Sequence, residues 1–208
     1  MTKTVHLAVY DTLADWEAGH AVAHIRNGNF QREPGSHTVV TVGASLEPIT
    51  TMGGMRVLPD LTLDQLAPGD SAMLILPGAD LWDMGGNTEF AAKAAEFLDA
   101  GVPVAAICGA TAGLARAGLL DDRDHTSAAP QYLEMQEGYG GAKCYVEELA
   151  VTCGDLITAG PTGQVEFARE IFGRLGLYTP EVLDAWYRLF AKSDASAFEV
   201  LMAASGHE

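Results

Sequence analysis

The sequence is short of positive charge: 12 Lys and Arg stand against 28 Asp and Glu, giving a net charge of −16 with His neutral. No basic stretch interrupts that excess, so electrostatics oppose nucleic acid and anionic membrane surfaces as partners. Long hydrophobic runs are also missing. The longest, 71–77 and 102–108, cover about seven residues each, against the ~20 that a membrane helix needs. The opening Met-Thr-Lys-Thr-Val-His lacks the apolar run of a secretory signal. Cysteine is scarce, with Cys108, Cys144 and Cys153 making an odd count that gives no disulfide framework. A reducing cytoplasm is the expected home.

What is present is an ordinary globular composition, 48% hydrophobic over 208 residues with 23 Gly and 9 Pro. At this length a folded chain buries roughly 70% of its unfolded surface, so one domain over 1–208 needs no disulfide or structural metal. Residues 5–10 form a β-like opening, followed by a loop at Asp11-Thr12 and a helix over 15–27. A second strand covers 38–42, and a hairpin joining 49–51 to 56–58 is expected on a sheet edge. The run 72–76 is apolar on both faces, as in a central parallel strand covered by helices on each side, and ends at Pro77-Gly78. A helix over 88–100 precedes a buried strand over 102–107, and 109–117 has the small, apolar composition of a buried helix. Segments 145–152 and 156–158 flank a hairpin turn, Thr162 is expected to cap a helix, Thr179-Pro180 opens another, and 194–204 reads as the last. This alternation predicts a doubly wound, mostly parallel α/β sheet flanked by helices, with ligands outside the carboxyl ends of the strands. Three loops meet that condition: 11–17, 77–83, and Cys108 with Gly109.

Ala106-Ile107-Cys108-Gly109-Ala110 places a thiol between a buried strand and a small-residue helix. Small neighbours are what a sharp strand-to-helix elbow requires, because bulk there clashes with adjacent backbone. A helix N-terminus also favours thiolate over thiol. A buried, inert cysteine is the alternative, and it is the reading for Cys144 and Cys153, which lack an elbow context.

Leu76-Pro77-Gly78-Ala79, Ala105-Ala106-Ile107-Cys108-Gly109 and Asp15-Trp16-Glu17 together resemble the ThiJ/PfpI superfamily. The resemblance runs from Val5 to about Leu175 and implies a flavodoxin-like, glutamine-amidotransferase-like fold. It implies that Cys108 is the reactive residue, that Glu17 lies early in the first helix and touches its sulfur, and that the amides of Gly78, Ala79 and Gly109 receive an oxyanion. A homodimer is also implied, with Trp186, Leu189, Phe190, Phe198 and Leu201 either supplying its apolar surface or completing the monomer core. A carboxyl beside a thiolate is expected to be protonated, since adjacent negative charges raise one another's pKa. A protonated Glu17 can donate a hydrogen bond and carry a proton. By itself, without the resemblance, Glu17 reads first as a helix-start residue favoured by the dipole.

The departures are informative. A class I glutamine amidotransferase needs a His-x-Glu pair well downstream of its cysteine, but only His125 and His207 follow Cys108. Gly109 stands where the protease members carry a histidine, which disfavours that activity. His125 falls a few residues before the position of a second family histidine, where Ala128 stands; it is either a base activating Cys108 or a residue closing a turn. Asp80 and Trp82, with Asp83, follow the oxyanion loop and either line the pocket, with Trp82 as an apolar wall, or only shape a surface loop. His20 and His24 share a helix face with Glu17, but without the HExxH pattern they do not make a metal site; no metal and no cofactor are expected. The resulting expectation is a cofactor-independent cysteine enzyme acting on a small electrophile, of hydratase, lyase or glyoxalase type, such as an isocyanide or an α-oxoaldehyde. Isocyanide hydratases of the superfamily resemble this chain in lacking a triad histidine, but carry an aspartate where Glu17 stands. The alternative is an oxidative-stress sensor whose cysteine is oxidised without rapid turnover.

Overall fold

A computed structural model describes residues 2–205; His207 lies outside them. Its main sheet has seven strands in the order β5-β2-β1-β6-β7-β9-β8. These are β1 (Lys3–Ala8), β2 (His37–Gly43), β5 (Leu61–Thr62), β6 (Met73–Leu76), β7 (Val104–Ile107), β8 (Ala150–Cys153) and β9 (Leu156–Ala159). Every pairing is parallel except β8 with β9. The expected doubly wound α/β architecture in a single domain is thus the one adopted.

The central strands are sealed on both faces, as their unbroken apolar composition requires. Along β6, Leu74 and Leu76 point into one core with Ala106, Trp82, Phe90 and Leu114. Met73 and Ile75 point into the other with Ile107, Phe167, Phe172 and Trp186. This period of two places α3 (Thr88–Asp99) and α4 (Gly109–Arg116) over one face, and α1 (Gly19–Asn27), α6 (Gln164–Leu175) and α7 (Pro180–Lys192) over the other.

Several local expectations change. The hairpin β3 (Ile49–Thr50) with β4 (Arg56–Val57) forms a separate sheet instead of an edge of the main one. Its backbone is held by the β1–α1 loop: Thr12 N–H donates to Thr50 O at 2.8 Å, Thr50 N–H to Asp11 Oδ1 at 2.8 Å, and Met52 N–H to Leu13 O at 2.9 Å. The first helix begins at Gly19, so residues 15–18 form turns. Thr162 does not cap α6; Gly163 occupies that position without a side-chain bond. Thr179 does cap α7, accepting from Val182 N–H at 3.3 Å. Two short helices, α2 (Asp80–Asp83) and α5 (Pro130–Glu134), have no counterpart in the expected pattern. At the carboxyl end, α8 (Phe198–Ala204) packs so that Trp186 and Leu201 are buried in the monomer core, while Phe190 and Phe198 are partly exposed.

Against α7, His24 accepts a hydrogen bond on Nε2 from the Trp186 indole at 3.3 Å. Burial first, and His20 second, push its pKa from 6.5 down to about 4. The unfolded chain then takes up a proton between those values that the folded chain refuses, so stability falls as pH drops from 6.5 to 4. Replacing His24 by Gln, which retains an acceptor but does not titrate, should flatten urea-unfolding stability over this window by about 1–3 kcal/mol.

Candidate active site

The elbow is real in backbone terms. Strand β7 ends at Ile107, α4 starts at Gly109, and Cys108 alone makes the turn with φ 55° and ψ −125°. Positive φ costs a non-glycine residue about 1–3 kcal/mol and persists only where surrounding structure imposes it. Here the Cys108 N–H donates to Ala159 O at 3.0 Å, and its carbonyl accepts from Thr111 N–H at 3.0 Å and Thr111 Oγ1 at 2.6 Å. The Thr111 hydroxyl in turn meets Ser127 Oγ at 2.6 Å. The thiol itself is partly exposed.

Glu17 is buried against this thiol. One carboxylate oxygen, Oε2, accepts from the Gly78 amide at 2.6 Å. The other, Oε1, is buried with no geometrically formed hydrogen bond among the described residues. The approach depends on Gly78, because a Cβ there would lie 2.8 Å from Glu17 Oε2 and 3.1 Å from Cys108 Cβ. Gly109 is needed in the same way, since a Cβ on it would meet Ala79 O and Trp82 Cβ, each at 3.3 Å.

Each acid pushes the other up. Burial, partly offset by the Gly78 amide and the Cys108 thiol, raises Glu17 from 4.5 to about 7. Burial and then the Glu17 charge raise Cys108 to about 12, outweighing the Gly109 amide that favours thiolate. The helix-start environment therefore does not by itself draw the thiol down, contrary to the sequence expectation. The two groups lose protons in two coupled steps, the first near 7, above which they hold one proton between them.

The surrounding loops fix this pair. Tyr10 donates to Pro77 O and accepts from Trp82 Nε1 at 3.0 Å, while Asp80 N–H donates to Thr12 Oγ1 at 3.0 Å. The Asp15 carboxylate accepts from Gly53 N–H at 2.6 Å, securing the turn that carries Glu17 to the hairpin. Ala79 is buried and Asp80 exposed. Trp82 does not wall the cleft: it is fully buried, its indole N–H committed to Tyr10 and to Pro77 O at 3.1 Å.

His125 is fully buried and both its ring nitrogens are occupied, Nδ1 by Arg123 O and Nε2 by Tyr139 Oη, each at 2.7 Å. None of its bonds reaches Cys108. Instead Asp83 and Tyr132, hydrogen-bonded to each other, act electrostatically on or with the cysteine. Tyr132 was missed because it lies on the unread helix α5; Pro130 at its first position was the available signal. Among the described residues no three His, Cys, Asp or Glu side chains gather as metal ligands.

A family model for the DJ-1/PfpI family matches residues 3–174. The chain belongs to the DJ-1/PfpI family. It is 37% identical over 203 residues to a Bacillus subtilis protein named "Uncharacterized protease YoaZ", covering 97% of each chain. It is 26% identical over 180 residues to Escherichia coli "Protein/nucleic acid deglycase 2", covering 85% of this chain and 99% of that protein. The crystal structure of a ThiJ/PfpI family protein from Bacillus anthracis superposes with a TM-score of 0.92 at 37% identity, covering 99% of this chain and 98% of that one. The DJ-1/PfpI fold thus spans the described elbow, the 77–80 loop and the Glu17 turn.

Two stability measurements follow. Cys108→Gly should be more stable than Cys108→Ala by about 1–2 kcal/mol in urea unfolding, since glycine alone adopts this φ without strain. For Glu17, the folded state retains a proton that the unfolded chain releases between pH 4.5 and 7, so it lowers stability as pH rises. Glu17→Gln should therefore gain about 2–3 kcal/mol relative to the native chain between those pH values and gain no more above them.

Proposed function

We propose that this DJ-1/PfpI protein is a cofactor-independent enzyme that adds the Cys108 sulfur to a small electrophilic carbon, with an α-oxoaldehyde as the favoured substrate class. The observation that carries this reading is the strained elbow cysteine with a buried carboxyl raised to about 7 against it. The reactive arrangement is the tautomer with the proton on Glu17 and the charge on sulfur. Sulfur forms a bond to the aldehyde carbon, the carbonyl π pair moves to oxygen, and the Glu17 proton passes to that oxygen, leaving a neutral hemithioacetal and a Glu17 carboxylate. The carboxylate is then placed to take up a proton in the following step.

Gly78 N–H is committed to Glu17, so the oxyanion role expected of three amides falls mainly to Ala79 and Gly109. Ala79 N–H has no hydrogen bond to a described group, and a Cβ on Gly109 would lie 3.5 Å from it, so the two amides are neighbours. The relative named as a deglycase supports carbonyl-adduct chemistry over isocyanide hydration. The relative named as a protease supports peptide cleavage less well here, because the buried His125 is spent on Arg123 O and Tyr139, and among the described residues no other histidine bonds near Cys108.

The test combines methylglyoxal consumption with the pH profile of Cys108 alkylation in a background where Cys144 and Cys153 are serine. Consumption should fall to the buffer rate in Cys108→Ser and by about 10²–10⁴ in Glu17→Gln. Alkylation should rise in two steps in the native chain, the first near pH 7, and in one step in Glu17→Gln. Absence of turnover together with stoichiometric oxidation of Cys108 by peroxide would replace the enzyme reading with that of a redox sensor.

A further inference from the structure

Behind the elbow, on the far side of Trp82, lies a cavity of about 280 Å³ between α2, α3 and α4. Trp82, Ala91, Ala92, Gly113 and Ala117 give it an apolar lining, and of all the residues around it only Arg116 carries charge. The Trp82 ring is seated over Gly113, where a Cβ would come within 2.1 Å of the indole. That glycine lets the ring pack fully behind the lining, with no surface open to solvent.

Arg116 is half-buried at the edge of this cavity. Its guanidinium donates to Trp82 O at 2.6 Å and to Gln136 Oε1, both neutral acceptors. Among the described residues no carboxylate lies within 4 Å of the Arg116 guanidinium, as is also true of Arg26, Arg32, Arg56 and Arg169. A guanidinium carries five N–H donors in a planar fork suited to a carboxylate, so the two bonds made leave donors for an anion.

We propose that this cavity is a second binding site, and that its ligand is a small monocarboxylate with an apolar body, of the size of benzoate or hexanoate. The carboxylate pairs with Arg116, and the apolar body lies between α3 and α4 against Ala92 and Ala117. One cation supports one negative charge; a phosphate or dicarboxylate would leave a second charge against apolar walls. Arg116 also contacts the groups around the cysteine: Gln136 Nε2 donates to Tyr132 O at 2.8 Å, and the Tyr132 hydroxyl donates to Asp83. Occupancy thus touches the same side chains that act on Cys108, without entering its cleft.

Isothermal titration calorimetry with benzoate and hexanoate as probes, and benzamide as the uncharged control, tests this. Saturable binding of at least one acid is expected, with a dissociation constant below about 1 mM. It should weaken at least ~10-fold in Arg116→Gln, and benzamide should bind at least that much more weakly than benzoate. Ala92→Leu, at an exposed position on α3, should block binding by filling the cavity mouth, while Cys108→Ser should leave it unchanged. Should Arg116→Gln fail to fold by circular dichroism, the benzamide comparison and Ala92→Leu still decide. No saturable binding of either acid, benzamide binding as well as benzoate, insensitivity to Ala92→Leu, or loss of binding in Cys108→Ser would each overturn the proposal.

Discussion

The organisation of this molecule depends on one residue turning the chain from a buried strand into a buried helix. Ile107 and Gly109 are both inaccessible to solvent, and Cys108 between them must take a positive φ to join the two directions. That requirement propagates outward. Gly109 has to be small because the 77–80 loop crosses it, and Gly78 has to be small because Glu17 and the Cys108 side chain converge there. The loop in turn is held by Tyr10 and Trp82, and the Glu17 turn by the hairpin β3–β4 through Asp15. A single strained backbone position therefore sits at the centre of contacts from most of the loops at the carboxyl ends of the strands.

The electrostatic consequence is a pair of acids that cannot both ionise cheaply. Water is excluded from Glu17, whose Oε2 has a backbone donor while Oε1 has none. Protonation gives Oε1 a hydrogen to offer, and the sulfur is the group beside it that gains by receiving one. The helix start and the Gly109 amide favour the thiolate, but burial and the neighbouring carboxylate oppose it more strongly. Reactivity in such a site comes from where one shared proton resides, and less from a thiol that is strongly acidic in its own right.

Much of the fold was legible because the central strands 73–76 and 104–107 have the apolar composition that burial on both faces demands. Cys108 was legible from its small neighbours, and Glu17 from its place in a motif and not from any local pattern. The rest depended on contacts distant in sequence. Trp82 reads as a pocket wall until Gly113, on another helix, is seen to receive its ring. His125 reads equally as a base or a turn residue until Tyr139 occupies its Nε2. Thr162 resembles a helix cap, but the cap position falls one residue later, at Gly163, before α6 starts at Gln164. Arg116 gives no signal at all in sequence, since its place beside the cavity is set by bonds to Trp82 and Gln136, both distant in sequence.

The measurement that bears most directly on the paired acids is the carboxyl carbon-13 resonance of Glu17 followed against pH, assigned by its disappearance in Glu17→Gln. A midpoint near 7 is expected, because burial holds the proton on a carboxyl that shares it with Cys108. A midpoint at the ordinary value of 4.5 would mean that Glu17 is a plain carboxylate at neutral pH, with no proton to give to a sulfur adduct, and would contradict the shared-proton site.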